Sequence, residues 1–161
     1  MPHDAHPQAQ PPDAPPADGP LPRTSTRRTV GRLALGAFLL FAGISHLTWS
    51  REEFLAQVPP WVPVDGDTVV IVSGIVEVSL GGALLLLPGR RVAVGWVVAA
   101  FFVAIFPGNI SQYVTRTDGF GLDTDAARAT RLAFQPLLVL WALWSTGAWR
   151  DRRALRGQLY R

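Results

Sequence analysis

Four stretches of this chain are nearly free of charge, and each is about as long as one membrane crossing. Residues 33–49, 92–115 and 132–149 carry no acidic or basic side chain apart from one histidine, and residues 68–89 carry one, Glu77. A helix that crosses the hydrocarbon core of a bilayer needs about 20 mostly apolar residues, with a range near 17–25. The runs span 17, 24, 18 and 22 residues, and they are apolar on every face rather than along one stripe. A soluble helix would show a polar face. The expected fold is therefore an all-α membrane protein, a four-helix transmembrane bundle.

The charges outside those runs set an orientation. All 15 basic residues are arginine. Eleven of them fall before the first run, between the second and third, or after the fourth; the others, Arg51, Arg116, Arg128 and Arg131, fall in the two remaining loops. Cytoplasmic loops carry the excess of basic residues, so both termini are expected in the cytoplasm. The absence of cysteine excludes a disulfide framework, a thiolate nucleophile and a cysteine-held metal cluster within the chain. The absence of lysine excludes a P-loop or Schiff-base lysine.

Three regions follow from composition. Residues 1–29 read as a disordered, proline-rich tail: eight of the 14 prolines lie between Pro2 and Pro22, and the segment is too polar to offset its ordering entropy. His3 and His6 lie there without a third ligand and are read as solvated. Residues 30–149 form the transmembrane domain. Residues 150–161 form a basic cytoplasmic tail, suited to lipid head groups and not to nucleic acid.

Polar residues inside the runs are few and share one depth. At about 1.5 Å per residue, Glu77 lies about 13 Å from the outer end of its helix and Asn109 about 9 Å. His46, Gln112 and Gln135 each lie about 5 Å in. An ionisable group inside a span usually faces the bundle interior or a wet cavity. Ser73, Gly74 and Gly81 share the helical face of Glu77, while Gly36 and Gly43 lead up to His46 on the first helix. Small-residue stripes allow close helix approach, so these faces are expected to dock and to bring His46 beside Glu77. The same five polar residues could instead be interhelical glue with no ligand.

Two prolines fall at comparable depth. Pro107 cannot donate to the carbonyl of Val103, which kinks the third helix and frees Asn109 to bond backbone or turn inward. Pro136 disturbs the fourth helix in the same way. Such kinks would splay the outer half and make room for a ligand, or else merely shape the packing. The loop at residues 50–67 is apolar at Phe54, Leu55, Val58, Trp61 and Val62, and Pro59, Pro60 and Pro63 stop a continued helix. It is expected either to fold over the polar cluster as a lid or to anchor in the interface.

Phe41-Ala42-Gly43-Ile44-Ser45-His46-Leu47, with Phe54 and Val58-Pro59-Pro60-Trp61-Val62-Pro63, resembles the first helix and outer loop of DoxX-like membrane proteins. Ser73-Gly74-Ile75-Val76-Glu77 and the following Gly81-Gly82 resemble that family's second helix, and Phe106-Pro107-Gly108-Asn109-Ile110 its third-helix motif, where alanine is usual in place of Gly108. The resemblance extends over residues 30–149. It implies a multi-pass protein of the bacterial inner membrane, of a family some of whose members are associated with quinone-linked oxidation or membrane redox complexes. Ser111 and Gln112 are more polar than the family pattern, and the lack of cysteine leaves any thiol chemistry to a partner chain.

The leading expectation is an accessory subunit of a quinone-linked or other membrane redox complex, partnered by other subunits and the lipid bilayer. His46 and Glu77 would meet a quinone head group and exchange its proton, with Asn109, Gln112 and Gln135 around it. No metal is expected, since His46 and Glu77 supply too few ligands, and no catalytic machinery is self-contained. The alternatives are a small-solute or proton-coupled transporter with Glu77 as carrier, and a scaffold without activity. No inverted repeat relates the two halves, as many transporter folds would show.

Overall fold

A computed structural model describes residues 21–154. Those residues are helical, with no strand among them, and run in the order α1 (Thr26–Leu47), α2 (Arg51–Leu55), α3 (Gly66–Leu86), α4 (Arg91–Thr115) and α5 (Asp125–Thr146). A single 3-10 turn, Pro88–Arg90, joins α3 to α4. The expected disorder of residues 1–20, His3 and His6 included, and the end of the basic tail lie outside the described residues.

Thr26–Leu47, Gly66–Leu86 and Pro88–Thr115 are long and apolar enough to cross a membrane. Large apolar side chains stand exposed along the outward faces, among them Phe41, Val72, Val97, Val103 and Leu140. Contiguous exposed apolar surface of this kind marks a partner or a membrane. The fourth long helix, α5, falls outside that group, and its composition explains why. It begins at Asp125, seven residues before the apolar run, so Arg128 and Arg131 lie on its first two turns. Thr124 caps it by accepting from the Ala127 N–H at 3.2 Å, and Arg128 is held by Asp118 and Asp125.

The expected boundary at residue 29 also moves. Ser25 caps α1, its side chain accepting from Arg28 N–H, so the helix starts at Thr26 inside the segment expected to be disordered. Asp65 likewise caps α3 by accepting from Thr68 N–H at 3.1 Å.

The long helices pack chiefly as α1 on α3, α4 on α5, and α1 on α5, with a smaller contact between α3 and α4. On α1 and α3 the small-residue stripes face each other: a Cβ on Gly81 would meet the Gly36 carbonyl oxygen at 2.8 Å, and one on Gly36 would meet that of Gly81 at 3.1 Å. On α4 and α5, Gly95 makes room for Thr146. The closed core lies toward the end that carries the α3–α4 turn, and is built from Leu35, Leu39, Leu84, Val98, Ala99, Phe102 and Ala142.

That end also carries buried polar contacts. Arg32 donates to the Leu84 carbonyl, Arg28 to that of Trp144 at 2.8 Å, and Arg91 to that of Thr146 at 2.6 Å. These are carbonyls in the last turns of α3 and α5, where the helix ends draw positive charge; that of Trp144 also accepts from the Gly147 N–H at 3.1 Å. Arg91 also holds Asp151 at 2.8 Å and the Pro22 carbonyl at 2.8 Å. The residues after α5 therefore begin as a packed element, with Asp151 only 8% exposed. Gly147 makes this turn possible at φ 69°, a left-handed conformation suited to glycine.

Candidate functional site

Toward the opposite end the helices enclose a chamber of about 650 Å³. His46, Glu77, Asn109 and Gln135, on four different helices, all contribute to its wall. Each is at most 6% exposed.

The glycine stripes produce the first pair. A Cβ on Gly74 would lie 2.8 Å from the His46 Cβ, so the two backbones meet where the histidine leaves α1. His46 Nδ1 then stands 2.7 Å from Glu77 Oε2 and 3.0 Å from the Ala42 carbonyl one turn back. One N–H cannot point squarely at both. It is aligned with the carbonyl, so the carboxylate sits beside that bond, and Glu77 Oε2 is enclosed without a hydrogen-bond partner of its own. A buried oxygen in that condition is open to a proton or to a ligand hydroxyl.

The second pair spans α4 and α5. Asn109 donates from Nδ2 to Gln135 Oε1 at 2.9 Å, and Gln135 donates from Nε2 to the Phe102 carbonyl at 2.6 Å. Phe102 lies five residues before Pro107, where the proline disturbs the helical ladder. Asn109 has turned inward across the bundle, one of its two expected options.

Gln112 does not join them. It is 1% exposed but is absent from the chamber wall, lying instead beneath Gly119, where a Cβ would come within 3.3 Å of its Nε2. It is three residues beyond Asn109, about 300° around the helix, and the α4–α5 loop closes over it.

The segment between α1 and α3 folds back over the chamber. Phe54 of α2 stacks on the His46 ring, centroids 3.3 Å apart. The Gln57 carbonyl oxygen comes so near Gly108 that a Cβ there would meet it at 2.7 Å. Alanine would not fit without movement, which accounts for glycine beside Pro107. The α4–α5 loop adds Phe120, edge-on to Phe54 at 4.5 Å, with its own N–H donated to Glu53. Phe120 holds φ 56°, an unusual conformation for a bulky residue, kept by these contacts.

Arg131, expected only as a charge in an outer loop, and Phe120, not singled out in the sequence, also line the chamber. Arg131 lies against the Phe120 ring, 5.2 Å from its centroid, and donates to Gln57 Oε1 at 2.7 Å. Arg131 is four residues before Gln135, so helical spacing puts the two on one face; that signal was present. Phe120 carries no comparable signal, because its position depends on the loop's fold.

Among the described residues, no group of three potential metal-ligating side chains converges. The described residues together define a helical protein with three membrane-length helices and a largely apolar chamber into which a few polar side chains converge. The chain belongs to the family described as a domain of unknown function, DUF8561, whose model matches residues 35–146. That stretch contains every residue lining the chamber. No curated protein and no solved structure matches the chain.

Proposed function

We propose that this is a four-span protein of the bacterial inner membrane, DoxX-like, with both termini cytoplasmic, and that its outer chamber binds a quinone-sized head group. In this reading α5 is the fourth span, and the protein serves as an accessory subunit of a membrane redox complex. The observation that carries the reading is the His46–Glu77 pair, buried in the wall of a 650 Å³ chamber that is otherwise largely apolar. Small-molecule sites are usually apolar cavities of about 300–1,000 Å³ with a few convergent polar groups.

The side chains suit a quinone. Glu77 Oε2 and His46 can hold or exchange a proton at a quinone oxygen, and the Asn109–Gln135 bridge presents an amide edge to the ring. The aromatic side chains of Phe54, Phe38 and Phe134 match its faces. When bound, a quinone would supply the electron-accepting chemistry that this chain lacks. The half of the protein below the chamber is filled by Leu35, Leu39, Leu84 and Val98, which favours binding over a transport path.

Purification from native membranes in mild detergent, followed by mass spectrometry of bound small molecules and co-purifying chains, tests the proposal. Recovery of a quinone or a redox subunit is expected. Recovery of neither overturns it.

A further inference from the structure

Among the described residues no carboxylate pairs with Arg131, although Glu77 lines another part of the same chamber. Three residues earlier on the same helix, Arg128 is matched by two carboxylates, Asp118 and Asp125. Arg51 pairs with Asp67, and Arg91 with Asp151. Arg131 is half-buried in the chamber wall, yet among the described residues its partners are a neutral amide oxygen of Gln57 and the face of Phe120. Beside it, Gln57 Nε2 is enclosed without any acceptor. Once Oε1 is taken by Arg131, the Gln57 amide can only turn its N–H bonds toward an acceptor. The guanidinium and an amide N–H left without an acceptor therefore stand together on one part of the chamber wall, and Glu53, the nearby lid carboxylate, is engaged by the Phe120 N–H instead.

A half-buried guanidinium without a counter-charge is costly, and so is an unbonded buried amide. An ionised oxygen answers both at once. We propose that Arg131 and Gln57 form an oxyanion-binding end of the chamber, which selects a lipophilic ligand ending in an ionised oxygen. The shared chemistry is a negatively charged oxygen on an apolar body; it comes from the enolate of a hydroxyquinone or from the carboxylate of a fatty acid. This rests on the chamber being a ligand site, and it narrows the class of ligand. The apolar body would lie against Phe38, Phe134 and Leu138, which line the same cavity.

Two matched ligand pairs separate the sources. One is an alkylated 2-hydroxy-1,4-naphthoquinone and its 2-methoxy analogue; the other is palmitate and hexadecanol. Binding to the full-length protein in nanodiscs of neutral lipid at pH 8 is read for the quinones by quenching of tryptophan fluorescence, and for palmitate and hexadecanol by displacement of a bound quinone, with a neutral alkyl-ubiquinone as reference. In at least one pair the ionised member is expected to bind about tenfold or more tightly than its neutral partner, and the pair that does so names the source. Arg131→Gln should level that preference, while Arg131→Lys should keep part of it. Gln57→Glu supplies an internal carboxylate to Arg131 without opening a gap, so it should level the preference in a folded protein even if Arg131→Gln does not fold. Equal affinity within both pairs, or a preference that survives Gln57→Glu, overturns the proposal. If the neutral quinone still binds in that case, the chamber reading stands; if nothing binds, both fall.

Discussion

Gly43 on α1 and Gly74 on α3 meet backbone to backbone: a Cβ on Gly43 would come within 2.7 Å of the Gly74 carbonyl oxygen, and one on Gly74 within 3.0 Å of that of Gly43. The contact fixes the distance between the helices just where His46 and Glu77 leave them. The ionisable pair is thus a consequence of two missing side chains.

Gly43→Ala should separate the helices and destabilise the protein by about 1–3 kcal/mol, the usual range for overpacking a tight contact. Gly82→Ala is the control, because a Cβ there meets nothing within 4 Å. Thermal unfolding in detergent should show a clear loss for Gly43→Ala and little change for Gly82→Ala. Equal melting temperatures would mean that the close approach does not contribute.

Glu77→Gln keeps the size of the side chain but removes the carboxylate beside His46 Nδ1. Quinone affinity should fall about tenfold, equivalent to about 1.4 kcal/mol, with little change in unfolding temperature. Titration with a soluble quinone analogue checks this. A variant that alters only the melting temperature would assign the pair to structure.

Gly108→Ala should push the Gln57 backbone away and lift the lid from His46. Phe54→Ala removes the ring stacked on the histidine without touching that hinge. Both should speed carbethoxylation of His46 by diethyl pyrocarbonate severalfold, read by mass spectrometry, with His3 and His6 as internal references. Unchanged labelling in both variants would show that the lid does not shield the site.

At the other end, Asp151 titrates against the packing of the termini. Burial works against its ionisation, but hydrogen bonds from Arg150 and Arg91 outweigh that and hold its carboxyl below the usual range. Because the folded value is the lower one, the stabilisation is present above the unfolded value of about 3.9 and is lost as pH falls through the folded value. Asp151→Asn should cost about 1–3 kcal/mol at pH 7, the scale of charged hydrogen bonds. Its stability should also decline less steeply than wild type in acid. Parallel acid limbs in the two proteins would remove Asp151 from the balance.

The comparison of sequence with structure divides by the range of the interactions. The apolar runs and the glycine stripes are local, and helical periodicity carries them into space with little ambiguity. Hence His46 and Glu77 were legible as neighbours, Asn109 as turning inward, and residues 50–67 as a possible lid. Four of the five polar residues at that depth do share one chamber wall.

What local pattern could not supply was rotation and closure. Whether Gln112 faces the chamber depends on how far α4 is turned against α5 and on the loop at Gly119, which covers it. The first turns of α5 depend on Thr124, Asp118 and Asp125 drawing Arg128 into the helix, and charge alone would have left it in a loop. The arginines that read as an orientation signal are also caps on the last carbonyls of α3 and α5, because the packed termini bring those groups together. The sequence by itself determined where helices could form and which faces could touch, since hydropathy and spacing act along one chain segment. Only the tertiary structure decided that Arg131 and Gln57 meet over the same chamber as His46 and Glu77, because that meeting needs two loops and four helices in place at once.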